Sequence, residues 1–171
     1  MAVKLLLETP LIWVLFFIYV YACTLGTGPV GAVFFYDDAI QERVFEMGLI
    51  TPEHARRRAR IAMTTGVVAL VALVALFYVL IVKANGATGF WQIARQFYLL
   101  FVLMELFDIV VIDTIWVALS GWWDIPGTED LQDSYKDWQP RAEAKLLRIA
   151  LGGIPLAALM GGLFTLVAQV L

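Results

Sequence analysis

Long apolar stretches alternate with short polar segments along this chain. Crossing the hydrocarbon core of a bilayer takes about 20 residues of helix, and the apolar stretches are long enough for four crossings. We therefore predict an all-α, polytopic membrane protein with four transmembrane helices in one domain, residues 1–171. The predicted spans are residues 11–35, 52–82, 91–119 and 146–171.

The polar segment after the first span contains a shorter pattern of helical period. Ile40, Val44 and Met47 recur at helical spacing, with acidic and amide side chains between them. Gly48 follows, and glycine commonly ends a helix. This pattern predicts a short amphipathic helix over residues 37–47, lying on the membrane interface.

The composition agrees with a membrane location and restricts the chemistry. Hydrophobic residues make up 61% of the chain and charged residues 16%, which is far from the balance of a soluble domain. The chain has one cysteine and one histidine, whereas a bis-histidine haem, an iron–sulfur cluster or a Cys/His zinc site needs more ligands of these types. We therefore expect no haem, iron–sulfur or zinc cofactor.

Basic residues indicate how the spans are oriented. Of the twelve lysines and arginines, five lie in the loop after the first span or in the first turns of the second span, and four lie in or beside the loop at residues 120–145. Cytoplasmic loops carry an excess of such residues. We therefore expect both of these loops in the cytoplasm and both termini outside.

Three carboxylates interrupt the third predicted span: Glu105, Asp108 and Asp113. An ionised acid at the centre of a membrane helix costs about 2.5–3.5 kcal/mol on insertion scales, so these groups must face protein, water or a bound cation. At about 100° per residue, Glu105 and Asp108 share a stripe with Tyr98 and Trp116. Asp113 lies about 80° from Glu105, on the flank of that stripe.

The functional interpretation of these acids is an intramembrane site for a proton or metal cation, with Asp113 at the inner mouth and Glu105 deepest. Four further residues are candidate contributors to this ion or proton site: Tyr98, Trp116, Tyr78 and Thr64. In the structural alternative, Asp113 pairs with the arginines that open the second span. Glu105 and Asp108 are then protonated and hydrogen-bonded to Tyr78, Thr64, Thr65 or Tyr19.

Four arginines lie in the first turns of the second span: Arg56, Arg57, Arg58 and Arg60. Just before them, Thr51 and Pro52 have the residue types that favour the cap and first position of a helix. Basic side chains at the membrane surface attract anionic headgroups. We therefore expect headgroup contacts, with binding of a phosphate group as the alternative.

Small residues indicate how the first and fourth spans pack. Gly153, Ala157 and Gly161 stand four residues apart, which lets another helix approach closely, either within the chain or in a second copy. Residues 26–31 contain three glycines and one proline. We expect this segment to break the first span and to border, with Asp113, one inward-facing cavity.

Two segments also show a family resemblance. QERVFEMGLITPEHARRR and FDIVVIDTIWVALSGWWDIPGTED cover parts of both predicted cytoplasmic loops and of the third span. They resemble a group of bacterial four-helix inner-membrane proteins. The resemblance implies a multi-pass protein of the bacterial inner (plasma) membrane, and it carries over no catalytic residues.

Three functions from different classes remain open. The first is proton- or cation-coupled transport or conduction through the acidic site, in an oligomer because four helices enclose little volume. The second is a non-catalytic accessory or assembly subunit of a membrane complex. The third, less favoured because the usual signatures are missing, is an enzyme acting on lipid or isoprenoid substrates. The expected partners are the lipid bilayer and a second copy or another membrane subunit, and not nucleic acid.

Overall fold

The structure, a computed structural model that describes residues 2–25 and 28–170, is built from helices. That part of the chain contains no strand. The helices are α1 (Ala2–Thr24), α2 (Gly28–Gly31), α3 (Asp38–Glu46), α4 (Pro52–Tyr78), α5 (Phe90–Phe107), α6 (Asp133–Lys136) and α7 (Trp138–Val170). Short 3₁₀ turns occupy Val33–Phe35 and Glu129–Leu131. Helix α4 continues as a π-helix over Val79–Ala84, and α5 continues as a π-helix over Asp108–Leu119.

Three helices of the described chain are long and apolar enough to cross a membrane. They contain the segments Leu7–Thr24, Pro52–Ala84 and Asp133–Val170. The helix with the three carboxylates, α5 and its π-helical continuation, is not among them. The all-α class is therefore confirmed, and the fourth span stays a prediction.

Helix α1 begins and ends before the limits predicted for the first span. After it, the chain forms α2 and a 3₁₀ turn instead of continuing as one helix to residue 35. Gly28 has a φ of 58°, a left-handed conformation that glycine adopts without the penalty of a Cβ atom. Gly26 and Thr27, which belong to the predicted glycine-rich break, lie outside the described residues.

Helix α3 packs into what we call the loop cap, formed by α3 and residues 120–137. Ile40 and Val44 are 0% exposed and belong to one apolar cluster with Trp123, Ile125 and Tyr135. The apolar side of α3 therefore faces protein. Its location on the membrane interface stays a prediction.

Polar contacts also hold the loop cap together. The Tyr36 hydroxyl donates to the carbonyl of Trp123 at 2.5 Å, and burial raises the pKa of this phenol. The Arg43 guanidinium lies 3.2 Å from the Asp130 carboxylate, and its hydrogen bonds hold the pKa of Asp130 below the usual range. These bonds attach α3 to the segment that precedes α7.

The small-residue stripe of α7 packs against α5 of the same chain. A Cβ atom at Gly153 would lie 3.0 Å from the ring of Tyr98, and one at Gly161 would lie 2.8 Å from the Cβ of Ala94. Ala157, between the two glycines, is buried. The sequence left the partner of this stripe open, and the structure places one within the chain.

We expect Gly161→Leu to lower the free energy of unfolding by about 1–3 kcal/mol, because the new side chain would overpack the contact between α5 and α7. Gly162→Leu is the matched control, since a Cβ atom there would meet nothing within 4 Å. Thermal unfolding of both variants in detergent measures the difference. Equal melting temperatures for the two variants would contradict the packing described here.

Candidate functional site: an acid–base cluster between α5 and α7

The π-helix that follows α5 brings Asp108 and Asp113 onto one side of the helix. A π-helix bonds each residue to the one five positions away, and the Thr114 hydroxyl likewise donates to the carbonyl of Ile109, five residues earlier, at 2.8 Å. Residues five apart are therefore separated by about one turn. In an α-helix the same two aspartates would point about 140° apart.

Two basic residues of α7 face these acids. Lys145 and Arg148 are three residues apart, so their side chains lie on the same side of α7. The Lys145 ammonium donates to Asp108 Oδ2 and to Asp113 Oδ2, the latter at 2.6 Å. The Arg148 guanidinium donates to Glu105 Oε2 at 2.5 Å. We call these five residues the acid–base cluster.

The charges of the acid–base cluster do not balance. Three carboxylates face two cations, because Asp108 and Asp113 share the single ammonium of Lys145. With all five groups ionised, the cluster carries one surplus negative charge. Taking an ion out of water costs several kcal/mol unless a partner compensates it, so the surplus charge favours uptake of a proton or another cation.

The side chains of the cluster differ in how much of them is exposed. The Glu105 side chain is 10% exposed, whereas that of its partner Arg148 is 56% exposed. Asp108, Asp113 and Lys145 are all largely buried. The cluster therefore has a buried acidic side on α5 and its π-helical continuation, and a more open basic edge at Arg148.

Apolar packing surrounds the ionic contacts. Ile109 of the π-helix and Ile149 of α7 are buried in one cluster, together with Ala142. Phe101 and Val102 of α5 pack against the same residues. Ionic attraction is stronger where apolar groups replace water, so this packing strengthens the three pairings.

The other predicted contributors lie elsewhere. Tyr98 packs against Gly153 of α7, and Trp116 contacts the rings of Phe17 and Trp123. The Tyr78 hydroxyl is buried without a hydrogen-bond partner in the described chain. Thr64 is exposed and donates to the carbonyl of Arg60. None of these four bonds to the three carboxylates.

The structural alternative named the wrong partners for the acids. Asp113 pairs with Lys145 of α7 and not with an arginine of α4. Glu105 pairs with Arg148, and Asp108 with Lys145, in place of the expected hydroxyl groups. In the sequence, both basic residues indicate only the orientation of the spans. Their spacing of three residues at the start of the fourth predicted span was the signal that could have identified them.

The four arginines of α4 take different positions. Arg58 donates to the carbonyls of Gly31, Cys23 and Leu25, and so satisfies backbone groups where α1 ends. Arg56 pairs with Glu53 at 3.5 Å. Arg57 and Arg60 are exposed. Contact of these residues with headgroups or phosphate stays a prediction.

A cavity of about 340 Å³ lies beside the end of α1. Arg58, Cys23 and Tyr19 are among its lining residues, and Asp113 is not. Asp113 instead faces Lys145. This cavity is therefore not the shared inward-facing space that the sequence analysis expected between the glycine-rich break and Asp113.

Within residues 2–25 and 28–170, no three His, Cys, Asp or Glu side chains are grouped so that they could hold a metal ion. Asp108 and Asp113 converge on an ammonium group instead.

Comparisons of this chain with protein-family models, with curated proteins and with solved structures find no significant match. Function is therefore inferred from the side chains of the acid–base cluster and from the helices that position them.

Proposed function

We propose that this chain is a small integral membrane protein that binds a proton or another cation at the acid–base cluster and transports or conducts it. The observation that carries the proposal is the charge imbalance: Glu105, Asp108 and Asp113 face only Lys145 and Arg148. Ionisable residues at membrane depth are expensive, and in membrane proteins they commonly form ion pathways and proton relays.

The shared ammonium of Lys145 gives the site two ways to arrange its charges. When Asp108 is protonated, Lys145 neutralises Asp113, and when Asp113 is protonated, Lys145 neutralises Asp108. Both oxygens already lie within hydrogen-bond distance of the same nitrogen. A proton can therefore be carried by either aspartate while the cluster stays neutral.

The π-helix supports a functional role for this segment. Such helices are rare, and they occur frequently at functional sites. Here the π-helix provides the alignment of Asp108 with Asp113 that an α-helix would not. The π-helical hydrogen-bonding pattern thus aligns the same pair of carboxylates on which the proposal depends.

The proposal includes four membrane spans in a bacterial inner membrane, with α5 and its π-helical continuation as the third. This helix packs beside α7, which is itself long and apolar enough to cross a membrane. The distribution of basic residues favours an orientation with the loop cap in the cytoplasm and both termini outside.

The experiment that tests the proposal is proton flux into liposomes that contain the purified protein, driven by a pH gradient. We expect wild-type flux above the leak of protein-free liposomes. Asp113→Asn leaves two carboxylates facing two cations, so it should remain folded and lose the flux. Asp133→Asn, the same change at an exposed residue outside the cluster, should conduct like the wild type.

Further arms of the same experiment separate the alternatives. Flux of Na⁺ or K⁺ that Asp113→Asn abolishes would identify a metal cation as the transported ion. Equal flux in the wild type and in Asp113→Asn would contradict the proposal.

A non-catalytic accessory or assembly subunit is the second candidate function. It is favoured by a different aspect of the same geometry, because every carboxylate of the cluster contacts a cation and the pairs join α5 to α7. For such a subunit we expect no flux above the lipid leak and a membrane partner that co-purifies in a fixed ratio.

A further inference from the structure

A groove runs between α1 and α4 and encloses about 670 Å³. This volume is in the range of about 300–1,000 Å³ that is typical of ligand pockets. Tyr19 carries the one polar side chain of its lining. We call it the α1/α4 groove, and the residues that define its two walls include Leu15, Phe16, Tyr19, Gly66, Ala69 and Ala72.

The α1/α4 groove adjoins the 340 Å³ cavity beside the end of α1, and Tyr19 lies between the two. Tyr19 lines both spaces, and its hydroxyl donates to the carbonyl of Ala62 on α4 at 2.9 Å. Beyond Tyr19 the lining includes the polar side chains of Cys23, Arg58 and Thr65. An arginine therefore lies just beyond Tyr19, in the cavity next to the end of an apolar groove, and we call this cavity the mouth.

The guanidinium of Arg58 is held in this mouth by backbone carbonyls. Nε donates to Gly31 at 2.6 Å, and Nη2 donates to Cys23 and to Leu25, each at 3.1 Å. Nη1 bonds to none of the described residues. Arg58 is thus positioned by the fold, and among the described residues its Nη1 donors are left for an anion.

The length of the α1/α4 groove corresponds to one leaflet of a bilayer. Its α4 wall extends from Gly66 to Leu76, which is about 15 Å at a rise of about 1.5 Å per residue. The hydrocarbon core is about 30 Å thick, so one leaflet contributes about half of that. The groove is therefore about as long as the half-thickness of the hydrocarbon core, which is the length that a single acyl chain spans in one leaflet.

We propose that the α1/α4 groove binds one acyl chain of an anionic phospholipid, whose phosphate accepts hydrogen bonds from Nη1 of Arg58. The apolar walls suit the chain, and the arginine at the mouth suits the headgroup. Arg56, Arg57 and Arg60 add positive charge beside the same mouth, which attracts anionic lipids. Small residues on α4, including Ala69 and Ala72, provide the space for the chain.

The test uses native mass spectrometry of the full chain in mild detergent, titrated with phosphatidylglycerol or with phosphatidylcholine of the same acyl chains. We expect the wild type to retain one phosphatidylglycerol at about tenfold lower lipid concentration than phosphatidylcholine, a ratio equivalent to about 1.4 kcal/mol. Equal retention of the two lipids would overturn the proposal.

Variants of the groove wall test where the acyl chain lies. Ala69→Phe fills the groove and should abolish retention of both lipids, whereas Ala75→Phe makes the same change at an exposed α4 residue outside the groove and should behave like the wild type. Ala72→Phe fills the groove at a second position if Ala69→Phe fails to fold. Unchanged retention in a folded groove-filling variant would contradict binding in the groove.

Variants of the mouth test the role of Arg58. Arg58→Gln should reduce retention of phosphatidylglycerol to the level of phosphatidylcholine, and Arg58→Lys should preserve part of the preference because the charge remains. Arg57→Gln removes an equal charge from an exposed neighbour and should keep the preference. If Arg57→Gln and Arg58→Gln have the same effect, the attraction is diffuse and the assigned phosphate contact is wrong.

Discussion

Lys145→Met is expected to lower the free energy of unfolding by about 3–5 kcal/mol, the usual cost of removing one partner of a buried ion pair. The ammonium of Lys145 contacts both Asp108 and Asp113, so one substitution leaves two carboxylates without a cation. Both side chains are largely buried. Methionine has a similar length and occupies the vacated volume, so the loss reports charge and not packing.

Unfolding of Lys145→Met in detergent, followed across a range of pH, measures this effect. The deficit should shrink as the pH falls, because protonation removes the charges that have lost their partner. Combining Lys145→Met with Asp108→Asn and Asp113→Asn should recover most of the stability. Lys83→Met is the control. It removes an exposed lysine whose ammonium lies 5.9 Å from the Tyr78 ring, and it should lower the free energy of unfolding by no more than about 1 kcal/mol.

The second large effect is an asymmetry between the partners of the Glu105–Arg148 pair. Arg148→Gln should cost about 3 kcal/mol or more, because it leaves the Glu105 carboxylate, 10% exposed, without its cation. Glu105→Gln should cost about 1 kcal/mol or less, because the Arg148 side chain is 56% exposed and its charged end can turn toward water or headgroups.

Denaturant unfolding of Arg148→Gln and Glu105→Gln, measured side by side, tests this asymmetry. The double variant should resemble Glu105→Gln, since it leaves no unpaired buried charge. Equal losses for the two single variants would show that the two ends of the pair are equally buried, contrary to the geometry described here.

The beginning of α4 could be predicted from the sequence because it depends on local chemistry. The second span was predicted to begin at residue 52, and α4 begins at Pro52 with the Thr51 hydroxyl accepting from the His54 amide. Pro52 occupies the first turn, where its missing N–H costs nothing. Such capping signals depend on a few adjacent residues, so the sequence alone can reveal them.

The partners of the three acids could not be predicted in the same way. The predicted stripe of the third span requires about 100° per residue throughout, and the π-helix at Asp108–Leu119 changes that angle. No residue type in this segment signals the change. Burial of an acid in an apolar helix predicts that it has a partner, but it does not identify the partner.

The limits of the pattern are also visible in α1 and α3. Apolar residues continue past Thr24, so hydropathy extends the first span to residue 35, while the backbone turns before that point. In α3, Ile40 and Val44 form an apolar side that contacts the loop cap. An apolar side predicts burial, and lipid and protein interiors satisfy it equally well.

Infrared spectroscopy of carboxyl protonation tests the surplus charge of the acid–base cluster most directly. The purified protein is measured at neutral pH in a buffer without metal cations. Apart from protons, its only cations are bulky organic ions. We predict a protonated-carboxyl C=O band in the wild type that disappears in Asp113→Asn, because that variant balances two carboxylates against Lys145 and Arg148. A wild-type spectrum without this band, or a band that Asp113→Asn leaves unchanged, would contradict the proposal that the cluster holds a proton.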